Sequence, residues 1–164
     1  MRRRKALQSI AMGIGGVATL SHCNTFIASV PQLQEKDEQF IGLISESILP
    51  SKSTSFPTPE PRLEFLVNQL EGGLTSAQFD EYKLGLEEFK KSIDDSYAPA
   101  FDSLSTDQQY EMLTKALASE GSLGFFMQKT KQWSLRHFIT SENYMTNYLG
   151  YEFMPNRYLG CVPV

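Results

Sequence analysis

Phe79, Tyr82, Leu86, Phe89 and Ile93 recur at steps of three and four residues. That spacing puts five large apolar side chains on one face of an α-helix, with the intervening Glu and Lys residues on the other. Thr75 or Ser76 can cap this helix, which the pattern carries to about Asp95. Patterns of period two are nearly absent elsewhere, so the chain is expected to bury this stripe against other helices.

Four further helices follow from the same reasoning. Phe40, Ile41, Leu43, Ile44, Ile48 and Leu49 form a wide stripe after Leu33, with Glu35, Asp37 and Glu38 at the end where carboxylates suit the helix dipole. Pro50 stops it. Ser51 to Pro61, with Pro57, Pro59 and Pro61, reads as an irregular connector. A short helix covers Arg62 to Gln69 and ends at Gly72-Gly73. Ser105 and Gln108 form a capping box that opens another helix through Ala118, with Tyr110, Leu113 and Leu117 as its apolar face. Gly121 and Gly124 read as breaks, and Phe125 as the start of a last helix to Ile139. The expected fold is all-α: one domain of about five helices, residues 31–164, closed by an irregular aromatic C-terminal tail.

Residues 1–30 read as an export signal. Arg2-Arg3-Arg4-Lys5 supplies a positive segment, and Ile10 to Leu20 a short, weakly apolar one. Arg3 and Arg4, followed by Lys5-Ala6-Leu7-Gln8, resemble the recognised pair of a twin-arginine signal; an ordinary secretory signal is the rival. Cys23 follows Leu20-Ser21-His22, a spacing close to a lipidation site although His22 is large for it. The other reading is cleavage between Ser21 and Ala28 without lipid.

Bulk charge narrows the partners. A net charge of -4 argues against nucleic acid, which would call for a basic face. Catalytic groups are scarce too. His22 and His137 are the two histidines, Cys23 and Cys161 the two cysteines, and these do not make a zinc site. His137 reads as a packed or surface histidine, Phe125, Phe126 and Trp133 as core, and the acid clusters as solvated helix faces. No phosphate-binding loop or CxxC occurs. The chain does not read as an enzyme.

The tail is different. Tyr144, Tyr148, Tyr151, Phe153 and Tyr158 recur among Gly150, Pro155 and Gly160, with few acids. So much apolar surface must dock, either on the body of this chain or on a partner. Tyr144, Tyr148, Tyr151, Phe153, Pro155, Arg157, Tyr158 and Cys161 are the candidate interface, since Tyr and Arg are typical anchors of protein contacts.

Phe125-Phe126, Lys131-x-Trp133-Ser134-Leu135, Thr140-Ser141-Glu142, Leu149-Gly150-Tyr151 and Met154 to Cys161, in that order, resemble the gluconate 2-dehydrogenase subunit 3 family. Ile48-Leu49-Pro50, Tyr82 to Leu86 and Phe101-x-x-Leu104 agree, so the resemblance runs from about Leu33 to Val164. Two departures stand out. Pro155-Asn156 replaces a usual Pro-Gly, although Asn tolerates the left-handed conformation, and Arg136-His137 falls where a glycine is frequent. The resemblance implies a non-catalytic small subunit of a membrane-associated, FAD-dependent sugar, sugar-acid or alcohol dehydrogenase. It implies that the FAD lies in a separate large subunit, that a cytochrome subunit or another carrier takes the electrons, and that this chain binds no cofactor. It further implies that the small subunit escorts the folded flavoprotein through the twin-arginine machinery to the periplasmic side of the inner membrane or cell envelope, and stays bound there. A free-standing envelope lipoprotein without a dehydrogenase partner is the alternative.

Overall fold

The structure is a computed structural model that describes residues 32–93 and 97–152. Among these residues it contains six α-helices, one π-helical turn and no strand. The helices are α1 (Glu35–Ile48), α2 (Arg62–Gly73), α3 (Ser76–Lys91), α4 (Tyr97–Asp102), α5 (Thr106–Leu117) and α6 (Gly121–Ile139). The π-turn spans Tyr144–Tyr148.

The capping box of Ser105 with Gln108 opens α5 as its spacing predicts, and Thr75, one of the two caps expected for α3, forms a second box with Gln78. Leu49 is extended before Pro50, as the ring of a following proline requires, and α1 stops there. The last turn of α1 has no basic residue of its own. Arg62, the first residue of α2, supplies one. Its guanidinium donates to the carbonyls of Ser45 and Leu49 and to Thr58 Oγ1, and lies 3.4 Å from Glu46. A cation on the exposed carbonyls of a helix end satisfies them and suits the dipole. The connector is thereby tied at both ends.

Three expectations change. The last helix starts at Gly121, not Phe125. Gly121 makes the turn with φ of +74°, where a side chain would be strained. Gly124 lies inside the helix because a Cβ there would stand 2.0 Å from the Ser119 carbonyl oxygen. α4 was not expected. Its six residues are too few for a periodic signal, and Pro99 falls in its first turn, where a missing N–H costs nothing. It carries Phe101 into the core, 5.9 Å from Phe40 and 6.1 Å from Phe89. Tyr110, assigned above to the apolar face of α5, is instead 71% exposed, and Ala116 is buried on that face.

α6 is the central helix, packed by α1, α2, α3 and α5. Its closest neighbour is α3. A Cβ on Gly85 would meet Ser122 O at 2.0 Å and Phe126 Cβ at 2.7 Å, so only glycine allows this approach. Tyr82, Leu86 and Phe89 then pack with Phe126, Met127 and Trp133, all buried. Full burial of each such side chain contributes about 1.5–3 kcal/mol. The buried hydroxyls of Tyr82, Thr130, Ser45 and Ser134 are all accounted for. Thr130 Oγ1 donates its one proton to Phe126 O, so Tyr82 must donate to Thr130. Ser134 donates to Thr130 O, so Ser45 must donate to Ser134.

Candidate functional site

The stripe that α6 buries runs Phe126, Thr130, Trp133, His137. Leu135 and Ile139 lie one turn apart on another face, 41% and 47% exposed. Beyond Ile139 the chain turns back along the connector. Glu142 N donates to Glu60 Oε1 at 2.8 Å, and Asn143 Nδ2 to Pro57 O at 2.7 Å. These bonds place the π-turn beside Phe56. The Phe56 ring is then 6.1 Å from each of Phe138, Tyr144 and Tyr148, with Phe138–Tyr144 and Tyr144–Tyr148 at 5.0 Å. Edge-on and offset rings at such separations attract one another.

This cluster divides the predicted interface. Tyr144 is half-buried within it, so the base of the tail docks on its own body. Tyr148, Leu149 and Tyr151 project outward, 64%, 57% and 49% exposed. Phe153, Pro155, Arg157, Tyr158 and Cys161 lie outside the described residues, as do Arg3, Arg4 and Cys23. Sequence reasoning missed Phe56, Leu135, Phe138, Ile139 and Leu149. The first was hidden in a Pro-rich connector. Leu135 and Ile139 were readable, because they fall off the stripe of Trp133 and His137.

His137 is buried, with its ring 5.3 Å from Phe65. Neither ring nitrogen makes a hydrogen bond of proper geometry. Burial holds its pKa below the usual value, helped by the Arg62 charge. Glu60, Glu46 and the nearby Glu60 main chain act more weakly in the other direction. The Arg62 guanidinium is itself held below its usual pKa by burial, against the attraction of Glu46.

Among the described residues no group of three or more His, Cys, Asp and Glu side chains is placed to hold a metal. No described helix is long and apolar enough to cross a membrane. What the described surface does offer is a row of exposed aromatic and aliphatic side chains on a well-packed helical body. Residues 35–155 match the gluconate 2-dehydrogenase subunit 3 family. The chain belongs to that family, whose name denotes a subunit of a larger dehydrogenase. No curated protein and no solved structure matches it.

Proposed function

We propose that this chain is the non-catalytic small subunit of a periplasmic, membrane-associated dehydrogenase whose FAD lies in a separate large subunit. It escorts the folded flavoprotein through twin-arginine export and then stabilises it, with a cytochrome as the further subunit that accepts electrons. The observation that carries this reading is the outward-facing set Tyr148, Leu149 and Tyr151, fixed in place by the ring cluster beneath it. Family membership supports the kind of partner, and Arg3-Arg4 at the head of the chain supports the route.

The test is co-expression of a flavoprotein dehydrogenase of this type with and without the chain. The expected result is periplasmic flavoprotein only when the chain is present, and loss of both proteins from the periplasm when Arg3 and Arg4 are replaced by Lys. Equal export in both cells removes the escort role. Export that persists in the Lys variant points to the ordinary secretory route.

A further inference from the structure

Four buried side-chain atoms among the described residues lack a hydrogen-bond partner: Glu60 Oε2, Arg62 Nε and both ring nitrogens of His137. They all belong to the corner where the connector enters α2 and α6 ends. A buried polar atom without a partner is costly. Arg62 Nε and one nitrogen of a neutral His137 are donors, so the two atoms here that could accept from a ligand are Glu60 Oε2 and the other His137 nitrogen. Beside them lies a cavity of about 320 Å³, with Glu60, Glu64, Phe65, His137, Thr140 and Ser141 on its walls.

Asn68, also on the wall, offers both donors and an acceptor, and the rest of the hydrogen-bonding inventory is lopsided. Thr140 Oγ1 gives its single proton to Arg136 O at 2.8 Å, and Ser141 Oγ gives its own to Phe138 O at 2.7 Å. Both hydroxyls therefore have only lone pairs left to offer. Glu60 and Glu64 add carboxylate oxygens, and a neutral His137 adds an acceptor nitrogen. The Arg62 side chain is committed to the end of α1 by its terminal nitrogens. Acceptors, negative charge and the Phe65 ring together complement a donor-rich cation.

We propose that this cavity receives a basic side chain, an arginine guanidinium or a lysine ammonium, from the protein partner that covers Tyr148, Leu149 and Tyr151. This rests on the partner reading above. The source is a partner because the same stretch serves both places: His137, Thr140 and Ser141 line the cavity, while Phe138 and Tyr144 hold the exposed aromatics. A partner seated on the aromatic surface would therefore have the cavity mouth within its footprint.

The chain has only two histidines, so histidine-labelled full-length protein gives two sets of imidazole signals, and His137→Gln identifies one. Titration with methylguanidinium chloride should shift the His137 signals saturably, while sodium chloride at equal ionic strength should not. Glu60→Gln, nearly isosteric, should weaken the binding about tenfold with little change in Tm, the scale of one charge-assisted hydrogen bond. No saturable shift, or the same shift with sodium, overturns the proposal. The second arm uses the complex with the flavoprotein. If the complex forms, yet His137 is unmoved and Glu60→Gln with Glu64→Gln leaves its Kd unchanged, the cavity holds only water; the proposal falls and the partner reading stands. If methylguanidinium binds as expected but no complex forms, the partner reading falls and the cation site remains.

Discussion

Where α6 faces α3, Thr130 and Ser134 are completely buried and each hydroxyl both gives and receives a hydrogen bond. One turn further on, His137 is almost as deeply buried, yet neither ring nitrogen makes a hydrogen bond of proper geometry. The contrast extends to neighbours. The α3 seam closes until only glycine fits at position 85, whereas the end of α6 carries both an open cavity and the exposed Tyr148. A folded chain has little free energy in reserve, so unpaired polar atoms are tolerated where something else selects for them. The seam is closed and fully paired, and the end of α6 is open, as the proposed partner contact would require.

Substitutions should separate these roles, the largest losses of stability falling in the body. The Lys90 ammonium lies 2.5 Å from Asp37, which is 4% exposed, and 2.7 Å from Glu87. Burial disfavours its charge, but hydrogen bonds to the two carboxylates outweigh that and hold its pKa above the usual value. Its contribution is therefore present below a pH of about 10.5 and lost as the pH rises through the higher folded value. Lys90→Met removes the cation from a buried carboxylate and should cost about 3–5 kcal/mol in urea unfolding, whereas Asp37→Leu with Lys90→Met together should recover most of it. Next comes Gly85→Ala. The added methyl meets main-chain atoms of α6, which cannot rotate away, so a loss of about 2–3 kcal/mol is expected. A loss below about 0.5 kcal/mol would show that the seam is looser than the contact distances indicate.

The body was legible in the sequence because its signals are local. Thr75–Gln78 and Ser105–Gln108 announce their helices within four residues, and the stripe of α3 states its own buried face. The misread positions depended on packing that the apolar pattern alone does not state. Gly124 looks like a break until Ser119 is seen against it, and Tyr110 looks like core until Ala116 takes the inward position. At the candidate site the tail aromatics were visible as a class. Their division was not, because it depends on Phe56, whose ring reaches Tyr144 and Tyr148 across most of the chain length. His137 read as packed or surface, and the structure buries it, but nothing in its neighbours along the chain shows that Glu60 Oε2 and Arg62 Nε would lie unpaired near it.

A smaller effect should appear with pH. Arg62, Glu60, Glu46 and Glu64 are the charged groups around His137, and burial with Arg62 holds its pKa below 6.5. The folded protein therefore binds the proton less readily than the unfolded chain does. Stability should be full above about pH 6.5 and should fall as the pH drops from there toward the lower folded value. His137→Leu should flatten the part of the Tm profile between about pH 7 and pH 5.5 relative to the parent chain. Parallel profiles would show that the imidazole is not shielded from water.

The smallest change in stability, and the sharpest division between the two regions, belongs to Tyr148. Its ring rests against Phe56 and Tyr144 yet is 64% exposed, so Tyr148→Ala should cost less than about 0.5–1 kcal/mol in the isolated chain. An anchor that becomes buried at an interface loses far more on truncation, about 2 kcal/mol or above, or some thirtyfold in Kd. Leu84, 54% exposed on α3, is the control: Leu84→Ala also removes an exposed apolar side chain, but from the body rather than the tail. Flavoprotein binding should drop with Tyr148→Ala and hold with Leu84→Ala, while the two isolated variants unfold within a few degrees of the parent. If Tyr148→Ala instead unfolds the chain and leaves binding intact, the tail serves the body, and the partner must sit elsewhere.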